Sequence, residues 1–204
     1  MLLLGGCSTV TQAEPRPRST ALVASTIARA LTTTSPSRAT ADPLEALLIT
    51  SVPAEYSVQP DSVDDTGPSD LAKAAADETS AAGEAALRAA GFVRGYQRAW
   101  KSVDGNKLTL FVYQFDTATG ASSYFAAGVA EAESNRPKAA ARFDIGGIPN
   151  AVGYSLADRG YAMSQVAFTK GAYEVELQVA APGKTTVSTQ QLVRTLALDQ
   201  SARL

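Results

Sequence analysis

Phe92-Val93-Arg94-Gly95-Tyr96-Gln97-Arg98-Ala99-Trp100-Lys101, Asp104-Gly105 and Lys107-Leu108-Thr109-Leu110-Phe111-Val112-Tyr113-Gln114-Phe115 read as two strands joined by a tight turn. In the first segment Phe92, Arg94, Tyr96, Arg98 and Trp100 hold alternating or near-alternating positions. Asp-Gly is a hairpin signal because both residues tolerate the positive φ that such a turn requires. The second segment puts Leu108, Leu110 and Val112 on one face and Phe111, Tyr113 and Phe115 on the other. Side chains alternate sides along a strand, so apolar residues on both faces predict a central strand covered on both sides.

Outward from this hairpin the period changes. Tyr56 to Gln59 reads as a short strand ended by Pro60, and Gly67-Pro68-Ser69-Asp70 as a helix start. Proline suits the first helical turn and the aspartate complements the dipole. Leu71 to Ala90 is Ala-rich and helix-permissive, broken by Ser80 and Gly83, with Leu87, Ala90 and Ala86 toward the core and Gly91 as C-cap. Thr117 to Ser134 predicts a helix with an apolar stripe of Ala121, Tyr124, Phe125, Gly128, Val129 and Ala132. Arg142–Ile145 and Ala151–Leu156 flank a turn at Gly146-Gly147-Ile148-Pro149-Asn150. Tyr161–Thr169 and Ala172–Ala180 form a hairpin whose second strand points Tyr173, Val175, Leu177 and Val179 inward and Glu174, Glu176 and Gln178 outward. Thr186 or Ser188 caps a last helix, buried through Val187, Leu192, Val193 and Leu196. The expected fold is α/β in the α+β sense: one curved, mostly antiparallel sheet packed with about three helices.

The chain ahead of this domain differs in kind. None of the 14 aromatic residues precedes Tyr56, and the first 42 residues are dominated by Ser, Thr, Ala, Pro and Arg. Such a segment cannot bury enough apolar surface to offset the ~1–2 kcal/mol needed to order each residue. Within it, 21–31 aligns Leu22, Val23, Ile27 and Leu31 as a helix that is marginal in isolation. The expected organisation is therefore 1–7 a truncated lipoprotein signal with its lipobox, 8–42 a disordered Ser/Thr/Pro/Ala-rich tether, and 43–204 the globular domain.

The first segment is assigned from Leu4-Gly5-Gly6-Cys7, which resembles the bacterial lipobox: an aliphatic residue, two small ones, then cysteine. The resemblance implies that Cys7 is acylated on sulfur and becomes the mature N-terminus. Acyl chains contribute roughly 0.8 kcal/mol per buried CH₂, enough for stable anchoring when two or three are present. Only six residues precede Cys7 and none is charged, whereas a secretory signal needs a positive n-region and an apolar core of about 7–15 residues. Two readings follow: the start lies inside a longer signal, or Cys7 is a free thiol of a cytosolic protein. Export is favoured by the lack of any other cysteine, by the tether-like segment and by the domain beginning only after it.

Composition narrows the chemistry. There is no histidine and one cysteine, which removes Ser-His and Cys-His catalysis and almost every zinc, copper, haem or iron–sulfur site. The expectation is no cofactor and no metal. The 18 basic and 20 acidic residues are near balance, which argues against a nucleic-acid partner held by phosphate neutralisation. Alanine accounts for 38 of 204 residues and leaves few large core formers. Asp61, Asp64, Asp65 and Asp70 lack EF-hand spacing and read as a solvated turn. Gly146-Gly147 lacks the surrounding pattern of a phosphate loop.

Arg94, Tyr96, Arg98 and Trp100 on one strand, with Tyr113 on the next, are the candidate ligand groove, able to stack and to make bidentate hydrogen bonds. The opposing reading is a half-exposed strand with aromatics packed and arginines reaching water. Glu174 and Glu176 share a strand face and imitate a glycosidase dyad, but that spacing is commonplace on an amphipathic strand. No catalytic residue is assigned.

Taken with the lipobox, Gly91-Phe92-Val93-Arg94-Gly95-Tyr96-Gln97-Arg98-Ala99-Trp100 and Leu110-Phe111-Val112-Tyr113-Gln114-Phe115 resemble uncharacterised lipoproteins of high-GC Gram-positive bacteria (actinobacteria). From about Tyr56 to Leu198 the element order is more distantly similar to the PsbP-like sandwich and to extracytoplasmic sensor domains of actinobacterial serine/threonine kinases. These resemblances imply a non-enzymatic binding or accessory domain, lipid-anchored at the outer face of the cell membrane, with an envelope protein, lipid or glycan as ligand. The competing expectation is an extracytoplasmic hydrolase working through Asp, Glu or Tyr.

Overall fold

The computed structural model describes residues 42–61, 66–77 and 83–204, so the lipobox, the tether, the 21–31 helix, Asp64 and Asp65 lie outside the described residues. The Asp104-Gly105 turn joins β3 (Phe92–Ser102) to β4 (Lys107–Phe115) with Trp100 opposite Leu108 and Tyr96 opposite Val112. On the free edge of β3 lie two short strands, β1 (Tyr56–Val58) and β2 (Gly67–Ser69). On its other side β4 pairs with β8 (Tyr173–Pro182), followed by β7 (Tyr161–Lys170), β6 (Val152–Asp158) and β5 (Ala141–Phe143). The result is one antiparallel sheet in the order β1-β3-β4-β8-β7-β6-β5, with β2 beside β1 on β3. Among the described residues four α-helices accompany it: α1 (Leu71–Asp77), α2 (Gly83–Ala89), α3 (Ala118–Ser134) and α4 (Thr186–Arg203). The expected α+β class is what the structure shows.

Each face of the sheet has its own core. On the first, Tyr96, Trp100, Leu108, Leu110, Val112, Val175, Leu177 and Val179 pack with Val193, Leu196 and Ala197 of α4. Leu44, Leu48 and Ile49 close this core from a segment carrying a 3-10 turn at Glu45–Leu47. That segment is held by the end of α4: the Gln200 amide accepts from the Ile49 N–H at 2.9 Å and donates to the Leu47 carbonyl at 3.0 Å, and Arg203 donates to the Leu48 carbonyl at 3.2 Å. On the second face Tyr113 and Phe115 pack with Ala74 of α1, Leu87 of α2 and Ala121 of α3.

Several expectations are corrected. Gly67–Ser69 is an edge strand, where a proline without an N–H is tolerated, and the helix starts one residue after Asp70. Asp70 caps that helix from outside it, its carboxylate accepting from the Lys73 N–H at 2.9 Å. A bulge between Phe92 and Arg94 turns Phe92 to the second face, against Tyr113 and Phe115, while Tyr96 and Trp100 enter the first. Thr185, not Thr186 or Ser188, caps α4. Val187 is exposed in its first turn, and Ala86 is exposed on α2.

Candidate functional site

The strand that carried the expected groove spends its aromatics on packing. Tyr96 and Trp100 are both 1% exposed in the first core, and Tyr113 is buried on the opposite face. Arg94 donates to Gln114 at 2.8 Å. Arg98 lies over the Tyr96 ring, its carbon 5.3 Å from the centroid, and bonds Glu45 at 2.5 Å. This pair fastens the 3-10 segment to the sheet. The five residues are thus not brought together around an open space.

A cleft lies instead beneath α3. Thr117 opens the helix, its hydroxyl accepting from the Gly120 N–H at 3.0 Å. At Gly120 the helix backbone abuts the Ala90 carbonyl so closely that a β-carbon would sit 2.0 Å from that oxygen. Farther along, Tyr124, Phe125, Gly128 and Val129 overhang the sheet, whose floor there is Val152, Tyr154, Gln165, Ala167, Glu174 and Glu176. The register explains the floor: Glu176 lies beside Ala167, which lies beside Val152, and Tyr154 lies beside Gln165. Glu174, next to Tyr113 across the β4–β8 pair, is 3% exposed. The outward alternation of β8 holds, but α3 covers that face, so these glutamates are not the surface pair the strand pattern suggested.

The far end of the cleft is closed by charge. Glu133 of the last turn of α3 accepts from the Tyr154 hydroxyl at 2.7 Å, from Arg136 at 3.1 Å and from Arg142 of β5 at 3.2 Å. The Tyr154 hydrogen bond, with the two arginines, holds the Glu133 carboxyl below its usual range. Burial, reinforced by the neighbouring carboxylate, pushes the Tyr154 phenol up to about 12. Tyr154 is therefore a neutral donor at physiological pH.

Chemically, the cleft combines an apolar lip with a polar floor. Gln165 donates to one oxygen of Glu176 at 2.9 Å. The cleft holds a cavity of about 20 Å³, room for one or two water molecules. Among the described residues no group of three or more His, Cys, Asp or Glu is arranged to hold a metal ion. Nor is any described helix long and apolar enough to cross a membrane. A polar β8 face was visible in the sequence, but its covering by α3 was not, because it depends on where the helix lands.

No family model matches the chain, and no curated protein matches it. Among solved structures it is similar to the extracellular domain of PknH from Mycobacterium tuberculosis, at 12% identity and a TM-score of 0.49. That likeness covers 78% of this chain and 95% of the other.

Proposed function

We propose that the protein is a lipid-anchored extracytoplasmic protein, fixed through Cys7 to the outer face of the cell membrane, whose domain is a non-enzymatic binding or accessory module of the envelope. Its ligand is an envelope protein, lipid or glycan. The observation that carries the binding half is the cleft under α3, where Tyr124, Phe125 and Val129 stand over Gln165, Glu174 and Glu176. Half-exposed aromatics above fixed hydrogen-bonding groups suit recognition. The address rests on Leu4-Gly5-Gly6-Cys7 and the aromatic-free segment after it.

Glu174 and Glu176 in one cleft favour the hydrolase as the second reading. A glycosidase must seat a scissile bond between its carboxyl groups, together with a water at the hydrolytic step. Here both glutamates lie on one face of β8, Glu174 is buried and Glu176 already accepts from Gln165, so the pair is not set on opposite sides of a substrate. The two readings separate in one experiment on Glu176→Gln, Phe125→Ala and the parent protein. Binding of isolated envelope fractions that is lost in Phe125→Ala, with no release of sugar by any of the three, supports the module. Turnover by the parent that Glu176→Gln abolishes overturns it.

A further inference from the structure

α3 and α4 cover opposite faces of the sheet with nearly equal length, 17 and 18 residues, but they are held differently. α4 buries Thr189, Val193, Leu196, Ala197 and Gln200 along its length. α3 buries two alanines, Ala121 near its start and Ala132 near its end. Among the described residues, Phe125 and Val129 join neither core. They stand half-buried over a floor that includes Tyr154, Gln165, Glu174 and Glu176, in a cleft with a cavity of about 20 Å³. Apolar side chains set against polar groups and a small void give up the dispersion contacts that a packed interface makes.

The two ends of α3 differ as well. Its start is built in: Thr117 caps it, Gly120 abuts the Ala90 carbonyl, and the Tyr124 ring lies 5.2 Å from that of Phe115 in the second core. Its far end is held by the Glu133 carboxylate, which accepts from Tyr154 of β6 at 2.7 Å and Arg142 of β5 at 3.2 Å. The Arg142 side chain is 53% exposed, and ion pairs so open to water contribute at most about 1 kcal/mol. Beyond α3 the chain leads into β5, a three-residue strand at the margin of the sheet.

We propose that α3 is a hinged cover for the cleft: 117–124 stay fixed, and 125–134 lift from the sheet when the Glu133 carboxylate releases Tyr154 and Arg142. Lifting uncovers Gln165 and Glu174, which the closed helix leaves 6% and 3% exposed. A ligand of the cleft reaches those two side chains through the lifted state. That use of the motion rests on the binding role proposed for the cleft, whereas the motion itself belongs to the free chain. Partial openings of this kind need less free energy than global unfolding.

Cys7 is the only cysteine, so Cys7→Ala leaves the full chain without a thiol. On that background Val152→Cys places a thiol on the cleft floor, and Val166→Cys places one in the first core. Ala167→Cys, beside Val152 across the β6–β7 pair, is the floor reporter if Val152→Cys does not fold. Circular dichroism and urea unfolding establish the fold and stability of each variant, and Ellman's reagent is then applied under native conditions. The floor thiol is expected to react at least about tenfold faster than the thiol at 166, which waits for global unfolding. Adding Glu133→Gln raises that ratio at least about threefold further. Equal rates at the two sites, or a ratio that Glu133→Gln leaves unchanged, overturns the hinged cover. Either result beside envelope binding that Phe125→Ala abolishes overturns the cover and leaves the role of the cleft standing. The expected labelling without such binding supports the cover and overturns that role.

Discussion

At the residue scale, the contact with the clearest pH signature is Tyr154 with Glu133. The Tyr154 phenol is raised to about 12 from an ordinary value near 10. A raised folded-state value means that its contribution is complete below about pH 10 and is lost as pH climbs toward 12. Glu133 is lowered, so its contribution is present above the unfolded carboxyl range and fades as pH falls through the folded value. Thermal melts of the parent should show a falling midpoint above about pH 10, and Tyr154→Phe should flatten part of that fall. Glu133→Gln should remove part of the acid-side loss. Gln200 offers a second case. Replacing it by Ala leaves the buried Ile49 N–H without its acceptor, at a cost of about 1–3 kcal/mol read in urea unfolding. The same variant should be cut sooner by protease between 42 and 50, because the segment loses its bonds to α4.

At the element scale, close backbone approach sets where α3 lies. Gly91 takes φ of 76°, and a β-carbon there would sit 2.2 Å from an Asp116 carboxylate oxygen. At Gly120 the obstacle is the Ala90 carbonyl, which is main chain and yields less readily than a side chain. Gly120→Ala should therefore cost more than the ~1 kcal/mol that alanine ordinarily returns in a helix, giving net destabilisation in chemical unfolding. Removing the Thr117 hydroxyl with Thr117→Ala should cost about 1 kcal/mol, since the Gly120 N–H loses its acceptor.

The elements most open to sequence reasoning were those with a strict period. β4 was readable because Leu108, Leu110 and Val112 alternate with Phe111, Tyr113 and Phe115, and both faces proved covered. β3 was readable in extent but not in facing, because the bulge after Phe92 has no local sequence mark other than Gly95 nearby. The cleft was hidden for a similar reason. Glu174 and Glu176 follow the alternation of β8, yet whether that face meets water depends on α3, which arrives from a distant part of the chain. Val187 shows the converse: an apolar residue in a helical stripe that the first turn leaves exposed.

At the scale of the whole molecule, the sheet has a packed face under α4 and a more polar face under α3, the latter holding the cleft. The packed face holds the larger core. Trp100→Ala, at the centre of the first core, should cost about 3–5 kcal/mol and unfold at markedly lower denaturant concentration. The central claim, a binding domain held at the membrane through Cys7, is tested most directly by the intact mass and detergent partitioning of the protein made in its native host, beside Cys7→Ala. The account predicts a mature chain beginning at Cys7 with added acyl mass, recovered in the detergent phase, while Cys7→Ala is neither acylated nor cleaved before residue 7 and loses that partitioning. An unmodified chain beginning at Met1 and staying in the aqueous phase would contradict it.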